Sequence, residues 1–457
     1  MILLLLAGLA QAEPVVRDII GINEGVAVPE RVLEAVPLNE IQEEFDRDIA
    51  LIKSLGVRHV RVHSGRYPYS NWYDQSPGGR SELAVLDQYL KRLFEADLQP
   101  LLMISPWPGN HTAEFAQSYV PEDLRSYLDW VTQIVDRYDG DGVNDLPELG
   151  GKITVWEVDN EPDMHYAGSL RNAETPFEPP NEYAAVAKLT ADAIHAADPS
   201  ATVVHGGIFN PGRAEGADYL RALWADPHFA RVIDGVNLHR YPDRSGIEDI
   251  WLAVALGNEV APNRPVWLTE VSTSSLRRGD TNEHGQAVDL LNLILGGLNR
   301  GVARIYWHSL VESPNYYNTN RRAPLTRGRH LFVGAAGQTV TWHGLQRWRD
   351  PQPKIAAVTL KNFLDLFGDI PKQTLQPAAV SGADALQMNE NLLLFGSTKT
   401  VKVSAPHGGE VQQLVPNQAG LFATASRAPN TKGNLIISLA EGPVSVRIFS
   451  ATEKKSE

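Results

Sequence analysis

The sequence alternates between short apolar runs rich in β-branched residues and longer stretches with helical spacing, over about 300 residues. Short β-branched runs are typical of buried strands, and apolar residues three and four apart are typical of amphipathic helices. This alternation indicates an α/β fold in which helices connect parallel strands. Eight runs are predicted as strands: 18–23, 57–62, 98–104, 153–158, 201–205, 232–238, 266–269 and 303–307.

The number and spacing of these units favour a closed barrel. Helical spacing separates the strands, as in 83–94, 183–197 and 287–299. The first and eighth strands are about 285 residues apart, or about 41 residues per unit, against about 30 in a (β/α)8 TIM barrel without insertions. Eight units without an obvious ninth disfavour an open doubly wound sheet, and no glycine-rich dinucleotide or phosphate-binding motif opens a helix.

The alternation ends after the eighth predicted strand. A long polar segment covers residues 308 to about 350, and 355–367 is predicted as the closing helix of the barrel. From residue 369, short alternating runs separated by turn residues predict a small C-terminal antiparallel β-domain, similar to a β-sandwich. The predicted domains are therefore a barrel over 13–368 and an accessory domain over 369–457, which we expect to buttress the barrel.

The first twelve residues have features of an export signal. An apolar run at 2–9 precedes Ala10-Gln11-Ala12, a small-x-small pattern typical of signal peptidase sites. No positive charge precedes the apolar run, and a frayed apolar N-terminus is the alternative interpretation. We expect cleavage before Glu13 and a secreted or periplasmic protein.

Charge and cysteine content exclude several classes of function. The chain has 41 basic and 55 acidic side chains, a net charge of −14 and no basic tract, which argues against nucleic acid and anionic membranes as partners. Because the sequence has no cysteine, disulfides, cysteine nucleophiles, iron–sulfur clusters and zinc–thiolate sites are excluded. No internal run is long enough to insert into a membrane as a helix, and no feature indicates an oligomeric state.

Two glutamates stand where predicted strands four and seven end. Glu161 lies in WEVDNEP at 156–162, and Glu270 lies in PVWLTEV at 265–271, 109 residues later. Active sites of such barrels lie at the C-terminal ends of the strands, and strands four and seven face each other across the mouth. Two facing carboxylates suit the cleavage of a glycosidic bond, with one as acid and the other as nucleophile or base. A solvated loop carboxylate is the alternative for each.

These motifs resemble those of the clan A glycoside hydrolases, which are retaining enzymes with a (β/α)8 barrel. The hallmark of that clan is Asn-Glu at the end of strand four and a lone Glu at the end of strand seven, which Asn160, Glu161 and Glu270 match. The similarity covers about residues 18–367 and is greatest to families 5 and 39. Further matches lie at the ends of other strands: Arg61 and His63 on strand two, His239 and Tyr241 on strand six, and Trp307 on strand eight.

The resemblance implies a role for each matching residue. Glu161 is expected to be the general acid/base and Glu270 the nucleophile. Asn160 is expected to hold the sugar 2-hydroxyl, a contact that strengthens in the transition state. Arg61 and Tyr241 are expected to orient Glu270 and to keep it ionised. A plain ion pair of the barrel is the alternative for Arg61, and a packed residue of the rim is the alternative for Tyr241.

Five further residues are expected to contact substrate, four of them with an alternative. His239 is expected to line the site on the same side as Arg61 and Tyr241, or to be a packed residue of the rim. Trp307 and Trp107 are expected to stack against sugar faces. Trp107 lies between two prolines, and the alternative is a rigid loop in which this tryptophan is only structural. Asn23 and His63 are polar residues at strand ends that either contact substrate or satisfy each other.

Histidines and acidic residues near strand ends also raise the question of a metal. No His-x-His pair and no HExxH motif is present, so satisfied rim histidines are favoured over ligands. Asp159 and Asp163 flank Glu161 and are expected to be hydrogen-bonded scaffold. We therefore expect neither a metal nor a cofactor. The histidines in question are His63, His205, His239 and His308.

The sequence predicts a secreted retaining β-glycoside hydrolase that cleaves a polysaccharide or oligosaccharide by double displacement. This mechanism requires carboxyl groups about 5–5.5 Å apart. Endo-action is predicted from aromatic residues after strand two, for which a local mini-core is the alternative: Tyr67, Tyr69, Trp72 and Tyr73. A transglycosylase with the same residues, and a non-catalytic carbohydrate-binding barrel, are the alternative functions.

Overall fold

A computed structural model gives the fold of the chain. The predicted signal at 1–12 and most of the polar segment at 308–350 lie outside the described residues. The structure describes residues 13–23, 38–62, 83–105, 121, 123–163, 180–209, 211–212, 214–242, 247–277, 280–311, 313–314, 340–341, 345–346, 352–396, 400–417, 421–440 and 442–450.

Eight parallel strands form the barrel. Their order in the sheet is β5-β4-β3-β2-β1-β8-β7-β6. Two isolated parallel bridges, from Val204 to Gly235 and from Ile208 to Leu238, close the ring between its two end strands. The strands are β1 (Ile20–Asn23), β2 (His59–Val62), β3 (Gln99–Ile104), β4 (Val155–Val158), β5 (Thr202–His205), β6 (Val236–Arg240), β7 (Val266–Val271) and β8 (Arg304–His308).

Helices alternate with these strands. The spacing of buried residues explains why they are helical, as in Tyr127, Val131, Ile134 and Val135, which share one face of the third helix. The prediction of a (β/α)8 barrel is therefore confirmed. The helices are α1 (Leu38–Ser54), α2 (Leu83–Glu95), α3 (Leu124–Tyr138), α4 (Pro180–Ala197), α5 (Ala214–Trp224), α6 (Pro227–Val232), α7 (Glu248–Val260), α8 (Glu283–Asn299) and α9 (Ile355–Phe367).

The sixth strand begins later than predicted, at Val236 rather than at residue 232. Val232 instead ends α6. The Asp226 side chain caps this short helix by accepting hydrogen bonds from the backbone N–H groups of His228 and Phe229. Pro227 stands in its first turn, where a proline is tolerated. Val232 is therefore the last residue of a capped helix, and Ile233 is its C-cap, rather than the start of a strand.

The C-terminal residues form two antiparallel sheets that enclose a small core. Six strands pair in the order β9-β10-β11-β16-β13-β14, and β12 pairs with β15. The predicted antiparallel β-domain is confirmed. Its strands are β9 (Gln376–Pro377), β10 (Asp384–Met388), β11 (Asn391–Phe395), β12 (Thr400–Ser404), β13 (Gly409–Gln413), β14 (Thr424–Arg427), β15 (Asn434–Ser438) and β16 (Val444–Ile448).

The six-stranded sheet packs against the barrel. Buried Leu393 and Phe395 of β11 belong to the same hydrophobic core as the barrel helices. The Asn292 side chain on α8 accepts a hydrogen bond of 2.9 Å from the backbone N–H of Gly396. Among the described residues, no helix combines the length and the apolar character that crossing a membrane requires.

Candidate active site

The upper half of the barrel interior is lined by polar side chains that are buried from solvent. Inward-facing apolar side chains, such as Leu101 and Tyr306, fill the barrel below it. Above them lie four side chains that are 0% exposed: Arg61, Glu157, Asn237 and Thr269. Polar groups buried this deeply must be paired, because water cannot solvate them.

Arg61 on β2 joins Glu157 of this layer to Glu270 on β7. Its Nε and Nη2 atoms donate to the two oxygens of Glu157 on β4, at 2.6 and 2.9 Å. Its Nη1 donates to Oε2 of Glu270 at 3.0 Å, and Nη2 also donates to Oδ1 of Asn160 at 2.8 Å. Although burial disfavours the charged guanidinium, Glu157 and Glu270 raise the pKa of Arg61. A permanent cation therefore stands beside Glu270.

Further donors surround Glu270 on β7. The Asn23 side chain on β1 donates to Oε2 at 3.1 Å, and the hydroxyl of Tyr241 donates to Oε1. Burial and the nearby charge of Glu270 raise the pKa of Tyr241 well above its usual range, so the phenol keeps its proton and remains a donor. Together with Arg61, these donors favour the ionised form of Glu270.

The environment of Glu161 has the opposite effect. This residue is 7% exposed, and its Oε1 lies 2.9 Å from Nδ1 of His239. Burial, and then the negative charges of Glu270 and Asp163, raise the pKa of Glu161 well above its usual range. The surroundings of the two glutamates therefore favour opposite protonation states, as an acid and an ionised nucleophile require.

The backbone around Glu161 takes two uncommon conformations. Asp159 and Glu161 have φ angles of 69° and 50°, in the left-handed region that side chains seldom adopt. The chain is held there by Asp159, whose carboxylate accepts a hydrogen bond of 2.9 Å from Ser105. Asp163, which is fully buried, accepts one of 2.8 Å from the backbone N–H of Phe209. The expected scaffold contacts of both aspartates are thus present.

The carboxylates of Glu161 and Glu270 are close neighbours. One oxygen of each lies within 4.8 Å of the other and of a nitrogen of His239. Retaining enzymes hold their two carboxyl groups about 5–5.5 Å apart, whereas inverting enzymes leave about 6.5–9.5 Å for a water molecule. The short distance between the nearest oxygens favours the retaining arrangement.

The predicted role of Trp307 is wrong. Its side chain is 0% exposed and lies in the core that includes the helices, whereas its neighbour Tyr306 faces the barrel interior. Because side chains alternate along a strand, His308 rather than Trp307 returns to the interior. Its Nδ1 lies 3.7 Å from Oε1 of Glu270, and its ring meets Tyr241 edge to face at 5.7 Å.

The structure brings together most of the predicted site. Beyond those residues, it adds Glu157, Asn237, Thr269 and His308. Strand periodicity could have found them, since inward positions alternate and a charged inward residue on one strand needs a partner on another. The predicted residues that meet around the two carboxylates are Asn23, Arg61, Asn160, His239 and Tyr241. His63, Trp107 and the aromatic residues at 67–73 lie outside the described residues.

Two clusters among the described residues have the spacing of a cation site. The first is Glu161, Glu270 and His239, where Arg61 already supplies the positive charge. The second is formed by Asp139, Asp141 and Asp145, whose oxygens accept backbone N–H groups of their own loop. Neither arrangement requires a metal ion.

Comparison with known proteins shows similarity of fold rather than of sequence. No protein-family model matches the sequence, and no curated protein matches it. The structure is similar to a GH39 β-xylosidase from Caulobacter crescentus, with a TM-score of 0.56 and 16% identity over 95% of this chain and 96% of that one. It is also similar to a family 51 α-L-arabinofuranosidase from Bifidobacterium longum, with a TM-score of 0.57 and 13% identity over 95% and 96%.

A glucosidase from Croceicoccus marinus is similar over the same extent, with a TM-score of 0.53 and 13% identity over 96% of this chain and 97% of that one. These similarities extend over the barrel and the accessory domain together. The predicted resemblance to clan A, including family 39, is therefore confirmed for the fold.

Proposed function

We propose that this protein is a retaining β-glycoside hydrolase. The observation that carries the proposal is the pair of carboxylates at the ends of β4 and β7, with oxygens within 4.8 Å of each other and surroundings that favour a proton on Glu161 and a charge on Glu270. The similarity of the whole chain to the fold of a β-xylosidase and an α-L-arabinofuranosidase supports it.

In the first half-reaction, Glu270 attacks the anomeric carbon while Glu161 donates its proton to the glycosidic oxygen. The bond between the anomeric carbon and that oxygen breaks, the leaving sugar departs as an alcohol, and an ester forms between Glu270 and the remaining sugar. Glu161 is suited to this step because burial and the nearby negative charges raise its pKa and so favour the protonated form.

In the second half-reaction, a water molecule replaces the leaving sugar. Glu161, now ionised, removes a proton from this water, and the resulting oxygen attacks the anomeric carbon and releases Glu270. Two inversions give net retention of configuration. Asn160 is suited to hold the sugar 2-hydroxyl, because Arg61 binds its amide oxygen and leaves the amide nitrogen to donate.

The finer features of the proposal rest on the sequence. The aromatic residues at 67–73 favour endo-action on a polymer, and the small-x-small pattern at 10–12 favours export. The distribution of product lengths tests the first of these, because an endo-acting enzyme releases oligosaccharides early in the reaction. N-terminal sequencing of the exported protein tests the second, with Glu13 expected as the first residue.

The test of the activity is the release of reducing sugar from β-linked polysaccharides, including xylans, glucans and mannans, together with aryl xylosides, glucosides and arabinofuranosides. We expect activity of the wild type on at least one of these and a loss of more than about 10³-fold in Glu270→Ala. Glu259→Ala is the matched control, since that side chain is 63% exposed on α7.

Three results would contradict the proposal. Activity that survives in Glu270→Ala would exclude Glu270 as the nucleophile. Longer oligosaccharides without net reducing ends would indicate a transglycosylase. Binding without turnover, unaffected by Glu161→Gln, would indicate a carbohydrate-binding barrel.

A further inference from the structure

A chain of buried hydrogen bonds connects Glu157 with Glu161. The Oγ1 atom of Thr269 lies 2.9 Å from Oε1 of Glu157 and 2.9 Å from Nε2 of His239. On the other side of the same imidazole, Nδ1 lies 2.9 Å from Oε1 of Glu161. Glu157, Thr269 and His239 are each 0% exposed, so no solvent interrupts the chain.

The hydrogens in this chain can be placed from the partners of Asn237. Its Nδ2 donates to the carbonyl oxygen of His205 at 2.9 Å and to Glu157 at 2.8 Å, which fixes the orientation of the amide. Its Oδ1 therefore faces Thr269, where it accepts from the backbone N–H at 3.2 Å and lies 2.9 Å from Oγ1.

The hydroxyl of Thr269 must consequently act as an acceptor toward His239. Its single hydrogen points to one of two oxygens, on Glu157 and Asn237, each 2.9 Å away and neither carrying a hydrogen to donate. A hydroxyl turned toward Nε2 instead would leave the lone pairs of Oγ1 facing those of both oxygens with no hydrogen between them. Whichever one receives the hydrogen, a lone pair of Oγ1 remains for Nε2 of His239. A hydrogen bond at that distance then requires that Nε2 carries the hydrogen.

We propose that Thr269 is a positioning residue that fixes the Nε2–H tautomer of His239 and thereby keeps a proton on Glu161. In this tautomer Nδ1 is an acceptor, so the hydrogen between Nδ1 and Oε1 belongs to the carboxyl group of Glu161. The catalytic part of this inference rests on the proposed function, in which Glu161 is the acid. The tautomer itself does not.

Other ionisable groups face His239 and Glu161. Some of them favour a positive charge on the imidazole, and others oppose it. Oε2 of Glu270 lies 3.8 Å from Nδ1 of His239 and favours a positive imidazole, whereas the charge of Arg61 opposes one. All of these groups are unchanged by a substitution at Thr269. They are Arg61 on β2, Glu157 on β4 and Asp163 after it, Tyr241 after β6, Glu270 on β7 and His308 on β8.

The test compares Thr269→Val with Thr269→Ser. Valine keeps the shape but removes the acceptor for Nε2–H, so the other tautomer becomes competitive and donates from Nδ1 to ionised Glu161. This lowers the pKa of Glu161, and we expect the basic limb of the kcat/KM profile to move to lower pH by about one unit. Serine retains the hydroxyl and should retain the wild-type limb.

An unchanged basic limb in Thr269→Val, or an equal shift in Thr269→Ser, would overturn the proposal.

A second readout does not depend on turnover. The ¹⁵N resonances of His239, assigned by their loss in His239→Gln, should show hydrogen on Nε2 and none on Nδ1 in the wild type at pH 6–7.

Hydrogen on Nδ1 alone, or on both nitrogens, would overturn the inference even if Thr269→Val failed to fold. If the spectrum shows the expected tautomer but no glycoside is cleaved, the proposed function fails and the hydrogen-bond arrangement stands.

Discussion

At the scale of single residues, Glu161 and Glu270 show how one polar layer can hold two carboxyl groups in different states. Arg61, Asn23 and Tyr241 donate to Glu270, whereas Glu161 meets burial and neighbouring negative charge. The difference arises from partners on β1, on β2 and directly after β6, and not from the two glutamates themselves. Local sequence around each glutamate is therefore a poor guide to its protonation.

The raised pKa of Glu161 implies a cost in stability that grows with pH. Below its ordinary value of 4.5, the carboxyl is protonated in the folded and unfolded states alike. Above that value the unfolded chain releases the proton freely and the folded chain does not, so stability is lost as pH rises toward the folded pKa. We predict that Glu161→Gln raises the free energy of unfolding by about 1 kcal/mol at pH 8 and by less at pH 4.5.

Chemical denaturation of both proteins at the two pH values measures this difference. Glu259→Gln, on an exposed side chain, is the control and should show no such trend. A gain that is equal at both pH values would mean that Glu161 is not the source of the cost.

At the scale of elements, the site depends on how closely β5 and β6 approach each other. Gly206 and Gly207 follow β5, and a Cβ on Gly207 would lie 2.0 Å from the ring of His239. A side chain there must displace the imidazole, and with it the hydrogen bond to Glu161. The glycine is thus required by the close approach of the chain to His239.

We predict that Gly207→Ala lowers kcat/KM by about 10²-fold, since displacement of a reacting group by about 1 Å has an effect of that size. Gly212→Ala is the matched control, because its Cβ would meet Arg240 at an ordinary 3.5 Å. Steady-state kinetics of the two variants test the prediction. Equal activity in both would show that the position of His239 is not critical.

The elements also show what periodicity could and could not predict. The eight strands and the closing helix follow from alternation and helical spacing, because both are local properties of a chain that buries one face. Periodicity does not give the start of β6, because an apolar residue such as Val232 fits the end of a capped helix as well as the start of a strand. Whether Trp307 faces the barrel interior or the helices depends on the register of β8, which the sequence does not show. The role of Glu157 depends on partners that lie on other strands.

At the scale of the whole molecule, the accessory domain shares a hydrophobic core with the barrel. Leu393 and Phe395 pack into the core that includes the barrel helices, and Arg300 at the end of α8 pairs with Asp384 at 3.4 Å. The N-terminal segment also spans the junction, since Val15 forms a bridge with Pro371. Such contacts couple the folding of the two domains.

We predict a single cooperative unfolding transition for the whole chain in differential scanning calorimetry. Phe395→Ala should lower its midpoint without splitting it, because the lost side chain leaves a cavity costing about 3–5 kcal/mol in the shared core. The midpoint of Val401→Ala, a substitution in the separate core of the accessory domain, is compared with that of Phe395→Ala. Two resolved transitions in the wild type would show that the domains unfold independently.

The most direct test of the central claim is to trap the covalent intermediate. A 2-deoxy-2-fluoro glycoside of an accepted sugar with a good leaving group slows hydrolysis of the glycosyl-enzyme, which peptide mass spectrometry can then locate. We predict one added sugar per chain, on Glu270. Attachment to another residue, or rapid turnover to an inverted product without any attachment, would contradict the account.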